Sequence, residues 1–478
     1  MALARVPPGV PLWIAAVVCA TFGWASDQGA WIGFATSLAG LAQVLVDCRQ
    51  REGFGASTIW GASMMLTGFA DGVGLSVSDP TVRDYFFLYA VPEYLTQAVS
   101  ISFVGGCGIL AGFALAKRPG PLRDLLPSTS LAVVPNAMWY WTVVAGVVVL
   151  VTRIYNVETG SGTISRIYYS GVPLIVFVLA REATRRESNA WLWTAALLAY
   201  AEAIRAGLFD FLRGNILMPL VALVLGCLIG ARGLRPFRQI PLLPMYAGLV
   251  VFVLFFQAFG ENRSEIGTGL GRVEELTVRN EGTSGAPIAA LARLTSFNQV
   301  SQVVLITESS GFEFGQTLSY FGYVFVPRFI WPDKPMIAQG RWFAERIGLG
   351  RWQAESGFSN SVNMTIAGEW YLNFGWPGVI IGTVMVGLIV GLFWNAARFW
   401  SAVPDPISGL YGFYVLVYVW GLNIDLQVIP TLLAVYLLFL AFTRSLGILP
   451  QFRVRIDRTP AAFRVSRPAQ PEAVGRHR

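Results

Sequence analysis

Runs of about 20 apolar residues, repeated along the whole chain, constrain this sequence more than any other feature. A bilayer core about 30 Å thick takes about 20 mostly apolar residues to cross as a helix. Bounded by charge, glycine or proline, twelve such runs can be drawn, at 10–26, 30–47, 56–70, 94–116, 133–152, 163–180, 190–206, 213–231, 242–259, 377–396, 407–424 and 427–446. The third is the least regular, because Asp71 and neighbouring glycines interrupt it. The composition agrees: 54% of the 478 residues are hydrophobic and 13% are charged, about half the charged share of soluble domains. The expected fold is an all-α polytopic membrane protein of about 12 transmembrane helices, not an ordinary cytosolic enzyme.

Orientation follows from the basic residues, since Lys and Arg in short loops are retained on the cytoplasmic side. With both termini cytoplasmic, Arg49, Arg51, Lys117, Arg118, Arg123, Arg181, Arg185, Arg186, Arg232, Arg235, Arg238 and Arg398 fall in short cytoplasmic loops. The short external loops and helix mouths hold Arg83, Arg153, Arg166, Arg205 and Arg213. Over the whole chain the inside then carries 21 basic and 8 acidic residues and the outside 14 and 20, so the net +7 resolves into +13 inside and −6 outside. Most of the positive excess is topological, which removes any reason to read it as nucleic-acid binding.

Several function classes are excluded or weakened by residue type. The one histidine is His477, next to the last residue, so His-centred catalysis and His-based metal sites are not expected. Cys19, Cys48, Cys107 and Cys227 lie in or beside apolar runs without CxxC spacing and read as small hydrophobes. Arg5 before an apolar run, with Gly23 and Ala25, imitates a secretory signal, but an uncleaved first span is expected. No repeat of 20–50 residues is visible, which argues weakly against an inverted-repeat transporter. The pairs Gly108/Gly112, Gly226/Gly230, Gly378/Gly382 and Gly387/Gly391 have the spacing of close helix packing.

The expected organisation is a membrane domain at 1–259, a large external loop at 260–375, a second membrane domain at 376–446 and a basic cytoplasmic tail at 447–478. A connection as long as 260–375 is usually functional or disordered, and this one is too aromatic and apolar for a tail. Val300–Ile306, Leu318–Ile330 and Trp342–Ile347 read as amphipathic or interfacial helices lying against the membrane. Gly267, Gly269 and Gly271 follow no strand, so they make no nucleotide-binding loop.

There is no ATP outside the membrane, so an enzyme acting there must use a substrate already activated, typically a lipid-linked pyrophosphate. Such a leaving group calls for cations and helix N-termini. Arg213 opens the eighth run at its external end, and Glu202, Arg205 and Asp210 crowd the same hairpin mouth. These residues fit either a phosphate site or snorkelling salt bridges. Arg166, a few residues inside the sixth run, either snorkels outward or faces a polar cavity. In the loop, Pro327, Arg328, Trp331, Pro332, Asp333, Lys334 and Pro335 form a rigid basic segment followed by Arg341 and Arg346. A phosphate site and a structural proline turn are both compatible with it. The loop closes with Gly368, Glu369, Trp370, Tyr371, Leu372, Asn373, Phe374 and Gly375 before Trp376 and Pro377 open the tenth run. Glu369 and Asn373, four apart, share a helical face. With no usable histidine, Glu369 is the candidate general base, unless it merely pairs with an arginine.

The segment Pro327-Arg328-Phe329-Ile330-Trp331-Pro332-Asp333-Lys334-Pro335, together with Gly368 to Gly375, resembles the closing part of the large periplasmic loop in Wzy-type oligosaccharide repeat-unit polymerases. The Arg213 helix start is similar to the arginine-bearing start those proteins carry, and the layout of spans and loop matches over most of the chain. The resemblance implies a multi-pass glycosyltransferase of the bacterial inner membrane, metal-independent and without a cofactor. It would move a growing glycan from undecaprenyl pyrophosphate onto a new lipid-linked repeat unit, in O-antigen, capsule or exopolysaccharide synthesis. Besides the lipid bilayer and the undecaprenyl-pyrophosphate-linked oligosaccharides, the implied partners are a flippase and a chain-length regulator of the same pathway. By that analogy Arg213, Arg328, Lys334 and Arg341 face the pyrophosphate, and Arg166 and Arg205 are further substrate-binding residues. Glu369, Tyr371 and Asn373 face the acceptor sugar.

Two other readings remain. A lipid-linked oligosaccharide flippase or transporter would line its lumen with charge through the membrane depth, whereas here the charges gather at helix ends and in the loop. A polyprenyl-phosphate-dependent GT-C transferase tends to place acidic residues in the first external loop, where this chain has Asp27 only. The related O-antigen ligases are associated with an external histidine, which is absent here.

Overall fold

A computed structural model describes residues 13, 29–49, 55–118, 121, 125–131, 134–155, 168, 170–206, 213–230, 288, 291–292, 294–323, 326, 331, 333, 339–349, 362–397, 405–419, 426 and 428–448. All regular structure among them is helical. In chain order the α-helices are α1 (Gly29–Arg49), α2 (Ala56–Ser76), α3 (Pro80–Phe86), α4 (Leu95–Ala116), α5 (Asn136–Ile154), α6 (Gly171–Arg185), α7 (Asn189–Arg205), α8 (Arg213–Gly230), α9 (Phe297–Ser310), α10 (Gln339–Arg346), α11 (Ile366–Pro377), α12 (Thr383–Ala397), α13 (Pro406–Val419) and α14 (Val428–Ile448). Ten of the twelve apolar runs coincide with these helices. The first run, apart from Trp13, and the ninth lie outside the described residues, as do the Gly267–Gly271 stretch and the tail. Among the described residues, five helical stretches are long and apolar enough to cross a membrane: Gly29–Asp47, Pro92–Ala116, Asn136–Ile154, Ile366–Ala397 and Val428–Gly447. Several such helices fit a membrane protein.

The third run continues through its interruption as the single 21-residue helix α2. The interrupting residues face protein. A Cβ on Gly68 would stand 2.5 Å from Ser37 N of α1, so glycine permits the two backbones to touch, and Asp71 is buried. The GxxxG pairs serve the same end. On α4 and α12, a Cβ at Gly112 would lie 2.3 Å from Val384 O, and one at Gly387 2.1 Å from Ile109 O. Helix α6 is buried from Gly171 to Thr184, as expected of a helix apolar nearly all round and packed between α5, α7, α8 and α13.

The loop helices are arranged otherwise than expected. The helix anticipated at Val300–Ile306 is the longer α9, and its apolar face is covered by protein. Phe297, Val300, Val303, Val304 and Ile306 are buried by protein, with α4 and α11 as neighbours. Each such side chain is worth about 1.5–3 kcal/mol relative to exposure. The segment from Leu318 is a short 3₁₀ helix, Gln316–Gly322, and the third loop helix is α10.

Candidate functional site

Helix α11 begins with Thr365, whose hydroxyl accepts a hydrogen bond from Gly368 N at 3.0 Å and so satisfies one of the free amides of the first turn. Thr365 pays for this with a positive φ of 65°, unusual for a β-branched residue. The helix breaks at Gly375 (φ 64°, ψ −149°), a conformation essentially confined to glycine. Beyond the break Pro377 sits in the first turn of the apolar continuation, where its missing N–H costs nothing. A π-helical turn, Gly378–Gly382, leads into α12. Glu369, Tyr371 and Asn373 thus occupy a separate short helix set on the end of a long apolar one.

The Glu369 side chain is fully buried. Its Oε2 accepts from Leu426 N at 3.0 Å, just before α14, and its Oε1 from Thr317 Oγ1 at a long 3.4 Å. Asn373 Nδ2 donates to Thr317 Oγ1 (2.7 Å) and to Glu369 O (2.8 Å), while its Oδ1 accepts from Gly315 N at 2.8 Å. Both amide hydrogens of Asn373 are therefore spent on protein, and the residue holds the 313–317 turn in place. That turn is also tied by Glu313 N to Leu372 O (3.0 Å) and Phe314 N to Asn373 O (3.2 Å). Gln339 Nε2 of α10 donates to Thr317 O at 3.0 Å. The hydroxyl of Tyr371 accepts from Gln97 Nε2 of α4 at 2.7 Å, with Thr307 and Glu308 beside it. Segments distant in sequence, from α4, α9, the 3₁₀ turn, α10 and the head of α14, converge around α11.

The arginines are placed as follows. Arg205, on the last turn of α7, makes a bidentate pair with Glu202 (Nε to Oε2 and Nη2 to Oε1, both 2.9 Å), and Arg153 of α5 binds the same carboxylate. All three are buried, so in this structure Arg205 is engaged in an internal ion pair. Arg213 is the first residue of α8, as the helix-start reading required. Arg341 pairs with Glu345 at 3.0 Å across one turn of α10. Arg166, Arg328 and Lys334, and the side chain of Arg213, lie outside the described residues.

Four residues around α11 carry no sequence signal that singles them out: Gln97, Thr317, Gln339 and Leu426. Their roles come from pairings across the chain. The Thr365 cap could have been found from a Thr placed three residues before Gly368 at the start of an apolar helix. Another buried carboxylate has a structural role that its sequence neighbours do not signal. Asp71 of α2 accepts from Ser296 N (2.8 Å) and Ser296 Oγ (2.7 Å), and Ser296 Oγ is also 2.8 Å from Ser102 Oγ of α4. Ser296 is the cap of α9, so a carboxylate of α2 supports the start of α9 from another part of the chain. Among the described residues no three His, Cys, Asp or Glu side chains are grouped as metal ligands would be. No known family model, curated protein or solved structure matches the chain.

Proposed function

We propose that this protein is a membrane glycosyltransferase of the bacterial inner membrane, with about 12 spans and both termini cytoplasmic, that polymerises undecaprenyl-pyrophosphate-linked oligosaccharide repeat units at the external face. The observation that carries the reading is Glu369. It is a carboxylate enclosed where the loop turn, the α11 helix and the head of α14 meet, at one end of a helix apolar enough to span a membrane. Placing a charged group there is costly unless it has work to do, and in a chain whose one histidine is terminal it is the best-situated proton acceptor.

In the proposed reaction the acceptor hydroxyl of a new lipid-linked unit gives its proton to Glu369. Its oxygen then attacks the anomeric carbon of the growing glycan. The bond from that carbon to the pyrophosphate breaks, and the electron pair leaves with the pyrophosphate. Arg213 at the α8 N-terminus, Arg328, Lys334 and Arg341 hold the departing charge, with Arg166 as a further binding residue. Arg205 contributes by fixing the hairpin mouth through Glu202. Asn373 and Tyr371 keep Glu369 and the turn in register on the acceptor side. For the acceptor to reach Glu369 the Thr317 turn must lift, which breaks the 3.4 Å hydroxyl contact together with the Thr317 bonds to Asn373 and Gln339.

Purified protein in vesicles, supplied with lipid-linked repeat units and no nucleotide sugar, should produce a ladder of lengthened glycans. Fully folded protein that moves the units across the membrane without lengthening them would replace this reading with that of a flippase.

A further inference from the structure

The turn that covers Glu369 carries an exposure out of keeping with water. Phe314 is 77% exposed and Phe312 41%. Phe314 reaches that position with a positive φ of 44°, a strained conformation for an aromatic residue, between Gly311 (φ 82°) and Gly315 (φ 90°). Three left-handed residues within five positions fold the chain back sharply, and the fold-back pushes a phenyl ring outward. The turn is not loose. Its backbone is bonded to Leu372 and Asn373, and the Phe312 ring meets the edge of Tyr371 with centroids 6.1 Å apart. A Cβ on Gly375 would come 3.0 Å from Phe312 Cζ, so the glycine that breaks the helix also seats this ring.

The outward face continues into an apolar stripe. A Cβ on Gly315 would lie 3.6 Å from Phe374 Cζ. Phe374 is exposed just before the break at Gly375, and beyond it Pro377, Ile381 and Met385, all exposed, follow at helical spacing along the Ile366–Ala397 stretch that is long and apolar enough to cross a membrane. A stripe of that kind on a spanning helix faces acyl chains, and the aromatic turn stands at its loop end, where rings favour the headgroup boundary.

We propose that the 311–315 turn inserts its phenyl rings into the boundary of the bilayer, with lipid as the occupant of this face. On this arrangement the polar groups behind the turn, Thr317, Asn373 and Glu369, sit at headgroup depth. Taken together with the polymerase reading, on which this second step rests, an amphiphilic substrate with a polyprenyl tail would meet the site sideways from the membrane.

The insertion can be measured without any assay of catalysis. 4-Trifluoromethylphenylalanine is introduced genetically at position 314 of the full chain in nanodiscs, with Met385 and Glu345 as reference positions. Fluorine signals are followed with a headgroup-nitroxide lipid or a soluble gadolinium chelate. The 314 signal should lose more intensity to the nitroxide lipid than to gadolinium, 385 should be shielded from gadolinium, and 345 should lose intensity to gadolinium. Greater loss to gadolinium at 314, or loss to neither probe, would overturn the proposal, the latter pointing to cover by protein. The same label at 312 provides the reading if the 314 variant does not fold. A dry 314 in a protein that fails to lengthen glycans would keep the insertion and remove only the polymerase reading.

Discussion

Replacing Glu369 by glutamine separates chemistry from architecture more cleanly than any other change in this chain. Glutamine keeps the side-chain length and an oxygen for Leu426 N–H, which the carboxylate accepts at 3.0 Å. What is lost is charge and basicity. A hydrogen bond to a charged group contributes about 1.5–3 kcal/mol and a neutral one about 1, so Glu369→Gln should cost about 1 kcal/mol of stability. Against a typical stability of about 5–15 kcal/mol, that leaves the folded population essentially unchanged. A general base contributes about 10²–10⁴ in rate, equivalent to about 3–5 kcal/mol of barrier. The variant should therefore melt within a few degrees of the native protein and lengthen lipid-linked glycans at least a hundredfold more slowly (about 10²). Glu369→Ala would be a poorer probe, since it also leaves the Leu426 amide buried without this acceptor, at about 1–3 kcal/mol. The assay is elongation by purified protein in vesicles, with a thermal melt on the same preparation. Elongation by Glu369→Gln within tenfold of native (about 1.4 kcal/mol) would remove Glu369 as the base.

Other expectations follow from the remaining geometry. Arg213→Ala and Arg328→Ala should abolish polymer at unchanged protein level, and Arg→Lys at either position should restore only part of it, because lysine keeps the charge and loses the planar fork; normal polymer from both alanine variants would exclude them from the site. Asp71→Ala removes two short hydrogen bonds to Ser296 and should destabilise by about 3 kcal/mol, while Asp71→Asn, which keeps one acceptor, should cost about 1 kcal/mol; thermal melting reads both, and equal melting of the two variants would contradict the capping role. Gly387→Leu places a side chain where a Cβ already falls 2.1 Å from Ile109 O, so about 3 kcal/mol of overpacking is expected and should show as lost protein or a lowered melt. The Asp79 carboxyl is held below its usual range by the Thr81 hydroxyl and then the Thr81 amide; its contribution to α3 is present above the unfolded value and lost as pH falls through the folded one, so amide protection at Thr81 should weaken on acidification and Asp79→Asn should abolish that dependence.

What the sequence made legible was whatever the membrane or local helix chemistry dictates. The apolar runs at 94–116 and 427–446 became α4 and α14 nearly residue for residue, because span length is imposed from outside. The GxxxG spacing correctly marked the α4–α12 contact, since close approach tolerates little else. Spacing also carried more than was drawn from it. Glu202 and Arg205 are three apart on α7 and do pair, and Asn373 lies four from Glu369 and does bond its carbonyl. Those local bonds account for Arg205 and Asn373 without a substrate, which shifts the direct chemistry toward Glu369. Nothing local could have paired Asp71 with Ser296, or Gln97 with Tyr371, because such partners meet only through tertiary packing. The burial of α9 escaped notice for a similar reason: a helix with one apolar face looks the same whether lipid or protein covers it.

The segment from Ser296 to Thr317 is gripped at both ends by polar groups of the helical bundle. At its start Asp71 holds Ser296 through two bonds of 2.8 and 2.7 Å, backed by Ser102. At its end the turn is tied to α11 through Leu372 and Asn373 and to α10 through Gln339, while Thr317 reaches Glu369 only at 3.4 Å. Between them α9 buries five large apolar side chains, far too much to undock during turnover. Any opening that exposes Glu369 must then occur at the turn and leave α9 in place. Gly311 and Gly315 already supply backbone freedom on either side of the exposed phenyl ring. On the proposed reaction, which needs access from the lipid side and shelter from water once the acceptor is seated, the cover would hinge at that point while α9 stays packed.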